Sequence, residues 1–153
     1  MAGKTLATDI AMWDAASERW TAFGAQFDGQ VTSLAVMPNG DLMVGGIFST
    51  ADGVTTVLRW SGTGWSAMNT GMNNMVWAMV VMPNGDLVVG GDFDRTVNGY
   101  ANHIARWNGT EWNVLGTGVS DRVRALTVMP NGDLVAAGLF GTAGGVSVGA
   151  VAR

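Results

Sequence analysis

Apolar and polar positions alternate in the same order three times along the chain. In the second copy, an apolar run rich in Val (Met75–Met82) is followed by a polar Pro-Asn-Gly turn and a second apolar run, Leu87–Gly91. After a polar loop, Asp92–Asn102, come two shorter segments with Trp, His103–Trp107 and Glu111–Leu115. Short apolar runs bounded by Gly and Asn predict β-strands. In no segment do apolar residues repeat with the period of an amphipathic helix over a useful length. The unit is therefore predicted to be a four-stranded antiparallel meander.

The repeat itself is marked by the string MPNGDL, at Met37–Leu42, Met82–Leu87 and Met129–Leu134. Its Pro residues stand 45 and 47 positions apart, a period typical of propeller blades or helical-pair solenoids. The strand pattern excludes the solenoid. A lone four-stranded sheet cannot bury both faces, whereas sheets packed radially do. We therefore predict an all-β fold, a β-propeller of four-stranded blades.

The predicted blades do not coincide with the chain ends. Residues 31–74 and 75–122 form whole blades, and residues 123–153 contain the inner strands of a third. Residues 1–30 contain two outer strands, Asp9–Trp13 and Arg19–Phe23. The third blade is thus predicted to be split between the two ends of the sequence.

Three blades are too few to close a ring, since the smallest propellers have about four. An open arc would expose apolar sheet faces, and the expected solution is association of identical chains about a closed rotation. A homodimer forms six blades and a homotrimer nine. The partner predicted from the sequence is therefore a second copy of the chain.

Two segments compete for the third strand of the split blade, Asp9–Trp13 and Val148–Arg153. The first is joined by a short turn to Arg19–Phe23, so its hairpin forms at little entropic cost. We expect this hairpin to take the outer positions and the last residues to be displaced. Truncation after about Gly145 should then leave assembly intact, whereas deletion of residues 1–23 should abolish it.

The unit resembles the kelch repeat of β-propellers. A Gly pair ends the second strand at Gly45-Gly46 and Gly90-Gly91, and becomes Ala137-Gly138 in the third copy. An aromatic residue ends the third strand and a Trp follows in the fourth, with Trp13 and Trp20 at the kelch spacing. The resemblance implies rings of six or seven blades, which favours the dimer. Kelch-type copper oxidases need a Cys–Tyr crosslink, and this chain has no Cys.

Charge and composition narrow the partners. The net charge is −4 and the pI is about 4.6. Nucleic acids and anionic membrane surfaces both need a basic face, so neither is expected as a partner. No apolar run is long enough for a membrane span, and the first residues lack a signal peptide pattern. We therefore expect a soluble chain, and the sequence does not identify its cellular compartment.

The repeated polar and aromatic residues have two interpretations each. Asp41, Asp86 and Asp133 follow the turns and could form a carboxylate ring for a cation, or could close their turns by accepting backbone N–H groups, which we favour. The Trp residues could be sugar-stacking platforms or could pack between blades. Six of the seven Trp fall on the predicted third and fourth strands, which favours packing.

Residues that occur in one copy only are better candidates for ligand binding. Asp92 and Asp94 alternate and could offer oxygens to Ca²⁺, although no complete calcium loop surrounds them. Tyr100 and His103 are the chain's single Tyr and single His, and Trp77 lies on a first strand outside the Trp pattern. Arg122 and Arg124 begin a first strand, where one of them could line a channel mouth. No metal and no organic cofactor are expected.

The predicted function is therefore structural: a self-assembling propeller fragment without catalytic activity. The alternative is a binding module for carbohydrate or protein that uses the loops of one rim. No nucleophile, phosphate or metal motif supports an enzyme. Near-identical copies are typical of recent duplication or of design.

Overall fold

The computed structural model describes residues 10–23, 28–51, 53–68, 70–148 and 151–152. Every regular element in these residues is a β-strand, which confirms the all-β prediction. In chain order the strands are β1 Ala11–Asp14, β2 Arg19–Ala22, β3 Asp28–Val36, β4 Leu42–Thr50, β5 Gly53–Trp60, β6 Trp65–Ala67, β7 Val76–Val81, β8 Leu87–Gly91, β9 Arg95–Thr96, β10 Gly99–Tyr100, β11 Ile104–Trp107, β12 Trp112–Val114, β13 Val123–Val128, β14 Leu134–Gly138, β15 Thr142–Ala143, β16 Val146–Ser147 and β17 Val151–Ala152. The described part of the chain contains no helix with the length and hydropathy needed to cross a bilayer.

Two complete antiparallel meanders form the centre of the structure. The first sheet has the order β3-β4-β5-β6 and the second has the order β7-β8-β11-β12. A third sheet, β13-β14-β17, has three strands, and β1 pairs with β2 in a separate N-terminal hairpin. The first strand of the second sheet contacts the first strands of both other sheets, so the second sheet lies between them. No sheet formed by the described residues closes on itself.

The three Pro-Asn-Gly turns have one geometry. The Gly40 N–H donates to the Met37 carbonyl (2.9 Å) and the Met37 N–H donates to the Asp41 carbonyl (2.8 Å). Gly40, Gly85 and Gly132 have φ of 89°, 88° and 88°, as predicted. The Asn residues keep negative φ, because Pro38 and Asn39 occupy the central positions of a type I turn and the Gly alone is left-handed. The turns are therefore structural.

The Asp after each turn acts differently from our prediction. Its carboxylate accepts the side-chain N–H of the turn Asn, at 2.7 Å from Asn39 Nδ2 to Asp41 Oδ2, instead of a backbone N–H. The Asp backbone N–H donates in return to the Asn Oδ1 (3.1 Å). Arg59 Nε donates to Asp41 at 2.7 Å, and Arg106 lies 3.5 Å from Asp86. Asp41 and Asp86 therefore tie their turns to the third strand of the same sheet.

The observed strands differ from the predicted segment bounds in two places. β3 begins at Asp28 because residues 28–31 continue the ladder with residues 46–49 beyond a bulge, so the first whole sheet starts before residue 31. The segment 123–153 contains more than inner strands, since Val151 and Ala152 pair with Ala137 and Ala136 of β14. In the isolated chain, the third position of this sheet is thus held by the C-terminal segment through two residue pairs. Asp9 and Arg153, the ends of the competing strand predictions, lie outside the described residues.

The polar loop of the second copy contains a small hairpin that its sequence did not reveal. In the first sheet, β4 and β5 remain paired up to Thr50 and Gly53. From its Phe to its third-strand Trp, the second copy (Phe93–Trp107) has two more residues than the first (Phe48–Trp60), one of them Asp94, and the outer part of the meander separates as β9 and β10. An inserted residue breaks the two-residue side-chain period of a ladder, which explains why the sheet ends early.

Candidate assembly site and rim loop

Each outer hairpin carries two Trp residues that face each other across the strands. The ring centroids are 5.3 Å apart for Trp60 and Trp65, and 5.4 Å apart for Trp107 and Trp112. In the N-terminal hairpin, Trp13 and Trp20 are directly paired and their rings are 5.5 Å apart. The three pairs are therefore equivalent positions of the repeat.

The interface between the first and second sheets, which we call the closed interface because Trp112 fills it, keeps a smaller cleft of about 320 Å³ beside Met68 and Trp112. Trp112 is 1% exposed and packs in a cluster that includes Met43 and Val57 of the first sheet. Leu87 and Val89 of the second sheet belong to the same cluster, and Met68 packs against it. The prediction that Trp residues pack between the repeated sheets is confirmed at this interface.

The N-terminal hairpin covers the opposite face of the first sheet in the same way. Phe23 contacts Trp60 and Trp65 with ring centroids 5.5 and 5.7 Å apart. Ile10 is buried in a cluster with Val44 and Leu58. The hairpin thus packs as the outer half of a sheet that would precede the first one.

The interface between the second and third sheets is open on its outer side. A cleft of about 570 Å³ lies there. We define this open cleft by its apolar walls, which are Ile104, Leu115, Val119, Leu134 and Ala136. Three of these walls, Ile104, Val119 and Ala136, are buried in one cluster with Val88, Val123 and Phe140, and Leu115 and Leu134 are half-buried against it. The second and third sheets are thus in contact through this cluster, and the cleft lies on its outer side.

The exposed counterpart of this cleft is the outer surface of the N-terminal hairpin. Trp20 is 69% exposed and Trp13 is 49% exposed, whereas Trp112 in the equivalent position to Trp20 is 1% exposed. A large exposed aromatic pair on a short hairpin is an apolar surface suited to an interface. Sequence reasoning identified the hairpin but did not identify Leu115 or Val119 as its counterpart. Alignment of Trp20 with Trp112 could have found them.

The Gly pair that ends the second strand permits two close approaches. A Cβ on Gly91 would lie 2.1 Å from the Met75 carbonyl oxygen of the neighbouring strand, and a Cβ on Gly90 would lie 2.5 Å from Val123 Cγ1 of the next sheet. A Cβ on Gly45 would lie 2.9 Å from Val76 Cγ1. The prediction that backbones approach closely here is confirmed. Ala137 replaces the equivalent of Gly45 and Gly90 in the third sheet.

The predicted rim residues Asp92 and Asp94 bind different partners. Asp92 Oδ1 lies 3.4 Å from Arg122 Nε without hydrogen-bond geometry. Asp94 accepts the Asn73 side-chain N–H (2.8 Å), and the Asp94 backbone N–H donates to Asn73 Oδ1 (3.1 Å). Their oxygens therefore do not converge as calcium ligands do. In the described ranges, no group of three or more acidic or His side chains is arranged to hold a metal ion.

Tyr100 is the predicted site residue with the most accessible surface. It is 67% exposed, and the Arg95 guanidinium carbon lies 4.8 Å from the centroid of its ring. Arg95 Nη2 also donates to the Tyr100 hydroxyl (3.2 Å), and Arg95 Nε lies 3.7 Å from Asp94. The structure thus brings Asp94, Arg95 and Tyr100 together at the β9–β10 hairpin.

His103 and its neighbours form a strained turn beside this hairpin. Asn102 and His103 have φ of 46° and 69°, a conformation that is uncommon outside Gly. His103 Nδ1 is buried without a hydrogen-bond partner. Nearby, the Arg122 backbone N–H donates to the exposed Asp121 carboxylate and lowers its pKa, with smaller contributions from the charges of Arg122 and His103.

Trp77 belongs to a different feature from the other predicted site residues. The pairing of each first strand shifts at one position, and the residues at these bulges are Thr32, Trp77 and Arg124. The Arg124 guanidinium carbon lies 4.8 Å from the Trp77 ring centroid. Thr32 Oγ1 donates to the Gly45 or Val76 carbonyl, at 3.0 and 2.5 Å. These bulge residues connect neighbouring first strands, so Trp77 has an inter-sheet contact.

Comparison with known proteins supports the repeat type. A family described as "Domain of unknown function (DUF5122) beta-propeller" matches residues 83–109, from the turn of the second copy to the turn after β11. No curated protein matches the chain. The short match supports a propeller-type repeat and is not specific to kelch. A β-propeller domain suggests a structural or binding module.

Proposed function

We propose that this chain is a self-assembling propeller fragment whose copies complete one another's sheets in a closed ring. The observation that carries the proposal is the complementarity within one chain. An outer hairpin with exposed Trp13 and Trp20 lies on one flank, and a sheet with an open outer interface lies on the other. Heterologous contacts of this kind form rings when the rotation closes.

The preferred ring is a homodimer of six blades, with a homotrimer of nine as the alternative. The preference rests on the kelch-like resemblance of the repeat, because six is a common blade number in that family. Each chain would contribute the first and second sheets, β13 and β14 of a third blade, and the hairpin that completes the third blade of the next chain. Both flanks would then be covered.

Sedimentation equilibrium of the 153-residue chain tests the proposal. The chain mass is 15.9 kDa, so the dimer is expected near 32 kDa and the trimer near 48 kDa. A mass near 48 kDa would retain self-assembly and replace the dimer. A mass of 15.9 kDa at all concentrations up to about 100 μM, a range that covers moderate affinities, would overturn the proposal.

We also propose that the chain is not an enzyme. The acidic candidates support this, since Asp92 faces Arg122 and Asp94 is bound to Asn73. A general base has to reach the proton that it removes, and side chains held by such partners are poorly placed for that role.

The second candidate is carbohydrate or protein binding at the rim loop, which the exposed Tyr100 beside Arg95 favours. Aromatic faces with a nearby polar group suit sugar and peptide ligands. A glycan panel and a peptide panel screened with the chain and with Tyr100→Ala test it. Binding that is lost in the variant supports this function, and blank panels contradict it.

A further inference from the structure

We propose that Trp20 of one copy inserts into the open cleft of a second copy and fills the position that Trp112 fills within the chain. This inference rests on the proposed self-assembly and names the residues that perform it. The occupant is a second copy of this chain, contributed through its N-terminal hairpin.

The closed interface shows what the open cleft lacks. Met68 follows Trp65 by three residues, and Leu115 follows Trp112 by three. Val57 and Met72 are the first-sheet counterparts of Ile104 and Val119 in the same register. In the closed interface, Val57 and Met72 share a cluster with Trp112, and Met68 packs against that cluster. In the open cleft, the corresponding residues face a space of about 570 Å³.

The second wall of each site corresponds as well. Leu87 and Val89 on β8 lie beside Trp112 in the closed interface. Their equivalents on β14 are Leu134 and Ala136, which line the open cleft. Ala136 is smaller than Val89, so the open site has at least as much room for an indole. The walls are therefore those of a Trp site.

The N-terminal hairpin packs against the first sheet with the same pairing of positions. Phe23 follows Trp20 by three residues and so corresponds to Met68 and Leu115. Its ring contacts Trp65, the fourth-strand Trp of the first sheet, at 5.7 Å. At two interfaces, then, a fourth-strand Trp packs against this position of the preceding unit. Among the described residues, the open cleft is the interface that contains no fourth-strand Trp. Trp20 is the fourth-strand Trp that packs against no preceding unit.

Insertion of Trp20 requires β1 of the second copy to pair with β14. In the two complete sheets, the third strand pairs with the second strand. These pairs are β5 with β4 in the first sheet, and β11 with β8, through four residue pairs, in the second. The present occupant, Val151–Ala152, pairs with β14 through two residue pairs in the part of the segment that the structure describes. The incoming hairpin is already formed by four pairs between β1 and β2, so little further ordering is needed. We therefore infer that the hairpin displaces the C-terminal strand on assembly.

The first experiment compares Trp20→Ala with Met12→Ala by sedimentation equilibrium. Met12 is an exposed hairpin residue adjacent to Trp13, at the position that Arg59 and Arg106 hold in the other sheets. Trp20→Ala is expected to raise the dissociation constant at least about thirtyfold, as removal of a buried aromatic anchor does. Met12→Ala is expected to change it less than about threefold. Equal effects of the two variants would overturn the inference.

A double-mutant cycle on the dissociation constant identifies the cleft. Leu115→Ala in the open cleft is expected to couple with Trp20→Ala, because the two side chains touch only in the assembly. Met68→Ala, at the equivalent position of the closed interface, is expected to show no coupling, since Trp112 already fills that site. Coupling to Met68 or no coupling to Leu115 would place Trp20 elsewhere.

The outcomes separate this inference from the proposed function. If the wild-type chain is a monomer, the assembly proposal fails and this inference fails with it. If the wild type assembles and Trp20→Ala assembles equally well, only this inference fails. Acrylamide quenching of wild type and of Trp20→Phe, a conservative variant that keeps an aromatic ring, gives a second readout. The Trp20 fluorescence should be quenched in dilute monomer and protected in the assembly, and protection in the monomer would show insertion within one chain.

Discussion

The two interfaces of the second sheet differ in one respect. Toward the first sheet, inner and outer strands are both in contact and Trp112 is buried. Toward the third sheet, the inner strands are packed around Val123, and the outer side is an open cleft. The repeat places equivalent apolar residues on both sides. The difference therefore shows that the inner half of an interface forms without the outer half.

This difference has a consequence for stability. The half-buried walls of the open cleft, Leu115 and Leu134, stay partly in contact with water and contribute less than filled walls, because stabilisation follows the area removed from water. Most of the chain's stability should accordingly come from the first sheet, the second sheet and their shared interface. The third sheet should be the first part to open.

The largest expected effect comes from removing the N-terminal hairpin. Deletion of residues 1–23 should abolish assembly, because it removes Trp20 and uncovers Val44 and Phe48 of the first sheet. Truncation after Val148 is the matched control and should leave the assembled mass unchanged. The cut is placed after Val148 because Val146 pairs with Ala143 and the Val148 N–H donates to Gly141. If truncation at the C-terminus dissolved the ring while deletion of the hairpin did not, the strand order would be reversed.

The next effect separates the two interfaces by chain stability. Trp112→Ala should lower the free energy of unfolding by about 3–5 kcal/mol, as truncation of a buried aromatic does. Trp20→Ala should change it by less than about 0.5 kcal/mol in dilute monomer, because its side chain is exposed. Urea unfolding below the assembly concentration measures both. Similar losses in the two variants would contradict the assignment of Trp20 to an open flank.

Substitutions in the Pro-Asn-Gly turns should destabilise the first and third sheets equally. Gly40→Val and Gly132→Val should each lower stability by about 1–2 kcal/mol, since both residues are left-handed. Nothing lies within 4 Å of a Cβ placed on Gly40, so the cost there is conformational. Chemical denaturation of the two variants and of Gly64→Val, a Gly with ordinary φ and free space, checks this. Unchanged stability in either turn variant would show that the turn geometry is wrong.

The smallest expected effect concerns Ala137. In the proposed ring, Ala137 faces Val31 of the next chain, which is the equivalent of Val76 and Val123. Within the chain, a Cβ placed on Gly45 would lie 2.9 Å from Val76, and one placed on Gly90 would lie 2.5 Å from Val123. Ala137→Gly should therefore tighten assembly by a few-fold, at a cost of about 0.5–1 kcal/mol in the isolated chain from added backbone freedom. Titration of assembly and urea unfolding measure the two quantities. Weaker assembly in the variant would show that Ala137 does not face a neighbouring sheet.

The sequence by itself was sufficient for the local elements. Apolar runs separated by Pro-Asn-Gly predicted the first and second strands of each copy, because short-range backbone preferences decide where a hairpin turns. The Gly-Gly pairs predicted close approach because a Cβ has no space there. The sequence did not predict that Asn39 and Arg59 both donate to the Asp41 carboxylate. These hydrogen bonds depend on side-chain directions, which the pattern of residue types does not contain.

Only the tertiary structure decided which apolar residues remain uncovered. Trp20 and Trp112 are equivalent in the repeat, and no local signal distinguishes an exposed Trp from a buried one. The same holds for Asp92 and Asp94, which alternate in sequence yet bind Arg122 and Asn73 on different segments. Burial depends on which sheets lie side by side, and that is set by contacts between residues far apart in the chain. The physical reason is that the hydrophobic effect acts on area removed from water, a property of the packed sheets and not of any single strand.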